Sequence, residues 1–163
     1  TEHLLIDAGG HPMAAGFTIE TRYLKILKSR LEEIAQRELT EEKLKKVLKI
    51  DCEIDLEEIN WELYDKICQF SPFGIGNPEP VFLTSGVEVK EIRPVGMDGK
   101  HLKLAVSRQP SAVSFDAIAF GFGNWAAKIE PGDKLDIVYN LLADSWNGQE
   151  RLQLKIKDLK IPQ

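Results

Sequence analysis

The chain has 163 residues, 43% of them hydrophobic and 29% charged, with a formal net charge of −5. That is the ordinary composition of a soluble globular protein, with no whole-chain footprint for a polyanion and no apolar run near the ~18 residues of a membrane span. Two cysteines, Cys52 and Cys68, without metal-ligand spacing, and three histidines argue against a disulfide framework or a zinc site, and no signal peptide is visible, so a reducing cytoplasm fits best.

The length allows one domain or two small ones. The charge is uneven: residues 1–79 carry 10 basic and 16 acidic side chains, net −6, and residues 80–163 carry 11 and 10, net +1. The second half is therefore the better candidate to meet a polyanion. The chain opens Thr1-Glu2-His3 without a methionine and enters the apolar Leu4-Leu5-Ile6 at once, which reads as a cut through a longer protein.

Leu4–Ala8 predicts a short strand that runs into Gly9-Gly10-His11-Pro12-Met13-Ala14-Ala15-Gly16. Paired glycines after a strand bring the backbone close to a ligand. Pro12 suits the first position of a short helix and Gly16 its end. An anion at that helix start, beside His11, is one reading; a tight turn leading to a buried helix of small residues is the other. Phe17–Ile19 is a strand and Thr21 an expected N-cap. From Tyr23 to Leu39, Leu24, Leu27, Leu31, Ile34 and Ala35 fall at helical spacing, so a one-sided surface helix is expected. Thr40 with Glu41 and Glu42 can cap a further turn. Val47–Ile54 alternates and predicts a strand, and Asp55-Leu56-Glu57-Glu58 is an aspartate capping box opening a helix through Leu56, Ile59, Leu63, Ile67 and Phe70. Trp61 and Tyr64 fall on that helix's flank as packing residues.

Three prolines and two glycines within Ser71–Phe82 exclude a helix interior or central strand. The stretch reads as a rigid corner between two bodies or as a Pro/Gly-rich linker; apolar Phe73, Ile75, Val81 and Phe82 favour a corner that is packed down. After Pro80 the period becomes two, with strands expected over 81–95, 102–108, 115–120, 134–143 and 151–161. Asp98-Gly99 and Asn147-Gly148 are hairpin dipeptides, and the phase slip after Ile156 to Leu159 and Ile161 predicts a bulge. A single short helix, capped by Asn124, lies between the third and fourth strands. That is the order of an OB-fold barrel, which the Val47–Ile54 strand can join as a sixth member.

No arrangement of carboxylates, histidines or nucleophiles supports catalysis, and no residue is assigned to a metal. Binding is the better reading. An OB face grips single strands by pairing cations with exposed aromatics. The candidates are Lys100, His101, Lys103 and Arg108, Trp146 at the hairpin tip, and Arg151, Lys155 and Lys157. A plain solvated barrel face is the competing account of those lysines.

Two stretches carry a family resemblance. Gly9-Gly10-His11 through Ala14-Ala15-Gly16 resembles the motif of the domain that accompanies DHH phosphoesterase domains. Pro72-Phe73-Gly74-Ile75-Gly76-Asn77-Pro78-Glu79-Pro80 resembles the signature leading into the OB domain of the RecJ family, and Val95-Gly96, His101–Leu104, Ala117–Gly121 and Trp146-Asn147-Gly148 are similar to that domain. The resemblance implies an α+β chain made of a partial DHH-associated α/β segment with its long helix (1–46), a strand, connecting helix and corner (47–80), and a five- to six-stranded OB-fold barrel (81–163). It implies the nucleic-acid-binding C-terminal part of a 5′–3′ exonuclease specific for single-stranded DNA, acting in recombination and repair and inactive alone. Gly9, Gly10, His11 and Gly16 would help hold the nucleotide. The manganese or magnesium of the full-length enzyme would sit on an N-terminal DHH domain absent here. The expected partners are single-stranded DNA and that missing domain. A module that recruits single-strand-binding protein or another repair factor is the alternative, and a small-oligonucleotide phosphatase fits only the first motif.

Overall fold

The structure, a computed structural model, describes residues 4–109, 113–146 and 148–162. The chain forms two compact units, the first ending at Leu48 and the second beginning at Lys49.

In the first unit β1 (Leu5–His11) pairs antiparallel with β2 (Ala14–Ile19), from Leu5 opposite Ile19 to His11 opposite Ala14. Pro12 and Met13 make the two-residue turn, so the short helix expected between Pro12 and Gly16 is absent. Those few residues could close one helical turn at the full nucleation cost, whereas the hairpin pairs every residue from Gly9 to Gly16 outside the turn. Gly10 makes the close approach possible: a Cβ there would lie 2.5 Å from the Ala14 carbonyl oxygen and from the Ala15 Cα. The anion site expected at a helix start therefore has no helix to supply it.

A 3₁₀ turn at Thr21–Tyr23 leads into α1 (Leu24–Glu38). Thr21 opens that turn and does not cap the helix; Tyr23 holds the cap position without a side-chain bond. Leu27 is buried, while Leu24, Leu31 and Ile34 on the same stripe stay substantially exposed. Thr40 caps α2 (Glu41–Leu44) as expected, its Oγ1 accepting from Lys43 N at 3.3 Å.

The second unit is built on a closed barrel of β4 (Phe82–Val95), β5 (His101–Ser107), β6 (Ser114–Ala119), β7 (Lys134–Trp146) and β8 (Gln149–Lys160). The order is β4-β5-β6-β8-β7, and β7 returns to β4 to close it. The five strands expected after Pro80 are thus present in the expected circuit. Val87, Val89, Leu102, Leu104, Val106, Ala117, Ala119, Leu135, Ile137, Tyr139 and Leu154 fill the interior at 1% exposure or less.

The strand expected over 47–54 shrinks to β3 (Cys52–Glu53), parallel to β4 with Cys52 opposite Phe82. The reason lies in the partner. That register would set Ile50 beside Pro80 and Leu48 beside Pro78, and proline has no N–H to give the ladder. The Asp55 box also opens less than expected. Asp55 N donates to Glu58 Oε2 at 2.7 Å around a 3₁₀ turn, Leu56–Glu58, which stops at Ile59. Asn60 then caps the helix proper, α3 (Trp61–Cys68), accepting from Leu63 N at 2.9 Å. A side chain that competes for backbone donors splits one helix into two.

Leu56, Ile59 and Ile67 share the barrel's core cluster, so the corner does not separate two bodies: both its flanks pack on one core. It is rigid all the same. Gly74 N donates to Asn77 O at 2.8 Å, and Asn77 Nδ2 donates to the carbonyls of Phe70 at 2.8 Å and Pro72 at 3.0 Å. Phe73 packs against the core and Phe82 is buried, but Ile75, expected to pack down, stands fully exposed at the tip, and Phe70 is also exposed.

The turn between β6 and β7 is 3₁₀, Gly123–Ala127, with Phe122 and not Asn124 at its cap position. Asp98 and Gly99 take positive φ as expected, but within a five-residue loop between paired Val95 and His101. Trp146 pairs with Gln149 across a two-residue connection; Asn147 lies outside the described residues. The anticipated bulge falls at Lys157, where the pairing steps from Ile156 opposite Tyr139 to Asp158 opposite Val138.

Candidate nucleic-acid interface

Inward Leu102, Leu104 and Val106 turn His101, Lys103 and Ala105 to the outer face of β5; inward Ala117 and Ala119 do the same for Asp116 and Ile118 on β6. The barrel register then lines these residues up in rows. One row reads Arg93, Lys103, Ile118, Lys155 across β4, β5, β6 and β8. The next reads Glu91, Ala105, Asp116, Gln153 on the same strands. Three strand-to-strand steps of ~4.8 Å put Arg93 and Lys155 about 14 Å apart at the backbone. A cationic row therefore runs beside a partly acidic one.

Lys103 Nζ lies 3.4 Å from Asp116 Oδ2, which ties the two rows together. Glu91, Arg93, Lys103, Leu104, Ala105 and Asp116 line a groove of about 370 Å³ between them. Among the described residues Arg93 and Lys155 make no ion pair. Two loops flank this face at opposite ends. Gly96–Lys100 lies beyond paired Val95 and His101, and is fixed by the Gly123 N–H donating to Lys100 O at 3.0 Å. The β7–β8 connection lies at the other end, beyond paired Trp146 and Gln149.

Of the residues singled out from sequence, Lys103 and Lys155 join in one row, and exposed Lys100 sits in the loop at its upper end. His101 is engaged within the protein: its Nδ1 accepts from Gly121 N at 3.0 Å, and its ring meets Phe120 edge-on at 5.1 Å. It is therefore less free to donate to phosphate than the sequence suggested. Arg108 falls in the phase of Leu104 and Val106 and leaves the barrel to pair with Asp55, away from the row. Arg151 lies at the lower end of β8 opposite Asp144 and donates to Gln149 Oε1 at 2.9 Å. Lys157 occupies the bulge. Trp146 ends β7 by its backbone, and its side chain lies outside the described residues. Gly9, Gly10, His11 and Gly16 all lie on the β1–β2 hairpin of the first unit, His11 exposed beside the turn.

Two residues of this face were missed in the sequence, Arg93 and Phe120. Arg93 could be found only by allowing for a bulge at Lys90, and Phe120 only by counting outward from Ile118. Among the described residues no three His, Cys, Asp or Glu side chains gather to hold a metal ion.

A closed five-stranded barrel with a short helical turn between its third and fourth strands defines an OB-fold domain, here with an outer face set with cations. The RecJ OB domain family matches residues 50–158, and the chain belongs to that family. It is 34% identical over 158 residues to the single-stranded-DNA-specific exonuclease RecJ of Bacillus subtilis, covering 97% of this chain and 20% of that protein. The RecJ of Thermus thermophilus is 27% identical over 162 residues, and this chain spans 22% of it. The crystal structure of that RecJ in complex with Mn2+ superposes with a TM-score of 0.78 at 26% identity, covering 99% of this chain and 23% of that one. The chain thus spans between a fifth and about a quarter of the length of the relatives it matches.

Proposed function

We propose that this chain is the strand-gripping, C-terminal part of a RecJ-like 5′–3′ exonuclease specific for single-stranded DNA, acting in recombination and repair in the cytoplasm. The barrel holds the strand and presents it to a DHH catalytic domain outside this chain, which carries the manganese or magnesium. The observation that carries the reading is the row Arg93–Lys103–Lys155 on the face of an OB barrel of this family. Cations at that spacing meet successive phosphates, while a strand free of its complement turns its bases onto the surface. Gly9, Gly10 and His11 would assist at the nucleotide near the catalytic domain.

The test is fluorescence anisotropy of a labelled single-stranded oligonucleotide titrated with the chain at low and moderate salt, with a duplex of the same length beside it. Salt-sensitive binding that prefers the single strand supports the proposal. Absence of binding at low salt overturns it for the isolated chain. A second reading, a module that recruits a single-strand-binding protein or another repair factor, is favoured by one observation: Ile75, Phe70 and Trp61 leave apolar surface exposed around α3 and the corner. Binding to such a partner would be nearly insensitive to salt.

A further inference from the structure

The cationic row accounts for phosphates and not for bases; among the described residues, Phe120 is an exposed aromatic ring beside that row. Phe120 follows β6 directly. Inward Ala117 and Ala119 set it in the outward phase of Ile118, one step above the row. The residue is 54% exposed, which is costly for a phenyl side chain left to water.

The ring is also mounted. The His101 ring packs against it in a T-shaped arrangement, with centroids 5.1 Å apart and planes at 72°. His101 is held in turn on two sides. Its Nδ1 accepts from the Gly121 N–H at 3.0 Å, which leaves the neutral ring's proton on Nε2. Gly96, with φ of +82°, lies against its other edge so closely that a Cβ there would approach His101 Cδ2 to 2.8 Å. An exposed aromatic braced by a neighbouring ring is suited to stacking and loses little freedom when a base settles on it.

We propose that Phe120 is the base-stacking platform of this face and that His101 is a positioning residue for it, not a phosphate ligand. The bound strand runs its phosphates along Arg93, Lys103 and Lys155, and places a base on Phe120 beside the Gly96–Lys100 loop. The proposal rests on the single-strand reading given above.

The experiment separates bases from phosphates. Wild-type chain and Phe120→Leu are titrated with a labelled oligothymidylate and with an abasic oligonucleotide of equal length. Loss of one base–aromatic stack should weaken oligothymidylate binding at least about fivefold. Abasic binding and the salt slope should stay at wild-type values. His101→Ala should move binding in the same direction, again for the base-bearing strand alone. Phe120→Trp should retain affinity, and its emission should quench on oligothymidylate and not on the abasic strand; this variant carries the test if Phe120→Leu fails to fold. Salt-dependent binding that is weakened by Arg93→Ala but untouched by Phe120→Leu, or an unquenched Phe120→Trp, overturns the platform and leaves strand binding standing. No binding of either oligonucleotide by wild-type chain removes both.

Discussion

Lys103 Nζ and Asp116 Oδ2 lie 3.4 Å apart on adjacent strands of the outer face, so the central cation of the row is partly neutralised by its neighbour. Both side chains are substantially solvated, and a pair of that kind is worth little to the fold. Its consequence falls on the ligand. Asp116→Asn frees Lys103 and removes a negative charge beside the phosphate path, so single-strand affinity at low salt should rise about two- to fivefold. Lys103→Ala should lower it. Anisotropy titrations check both, and weaker binding by Asp116→Asn would show that the strand does not pass this pair.

Inside the barrel Thr84 Oγ1 donates to the Ile54 carbonyl at 2.7 Å, and its single proton is thereby spent. The 2.8 Å bond between Thr84 and Tyr139 is then donated by the tyrosine. Burial pushes the Tyr139 phenol up to about 12, with nearby Glu58 adding to the shift. A raised acid keeps its proton in the folded state, so this stability is full below the unfolded value near 10 and is lost as pH rises from there through about 12. Wild-type chain should lose about 2–3 kcal/mol more over that window than Tyr139→Phe. Denaturant melts from pH 8 to 12 measure the difference, and parallel curves would contradict the assignment.

Asn77 ties the corner by giving both amide hydrogens to backbone carbonyls, those of Phe70 and Pro72. Asn77→Asp keeps the size and loses the donors. It should cost about 1–2 kcal/mol and lower the melting temperature by several degrees, as should Asn77→Ala. Calorimetry on the two variants decides, and an unchanged melting temperature would mean that the proline and glycine positions hold the corner unaided.

The barrel was legible because period two marks strands whose inner residues are apolar, and Leu102, Leu104, Leu152, Leu154 and Ile156 keep that period without interruption. Lys103 and Lys155 could be read outward from the same count. β4 defeats it. Phe82 and Thr84 face in, a register shift moves the phase to Val87 and Val89, and a second at Lys90 moves it to Ile92. Counting by twos from Val89 would bury Arg93, which is why the row's first cation went unseen. The bulges let a 14-residue strand pair with both β7 and β5 and close the barrel. Phe120 escaped for another reason: an apolar residue at a strand end reads as core until its neighbours' direction is known. The Pro12–Gly16 helix fails because local cap chemistry takes no account of the pairing partner that Gly9 and Gly10 supply.

The central claim is that phosphates run along Arg93, Lys103 and Lys155. It is tested most directly by the slope of log binding constant against log salt for a single-stranded oligonucleotide, in wild-type chain and in the Arg93→Ala/Lys155→Ala double variant. Three phosphate contacts predict a slope of about −2 for wild type, falling to about −0.7 in the double variant. A slope unchanged by the two substitutions would contradict the account and move the grip elsewhere on the chain.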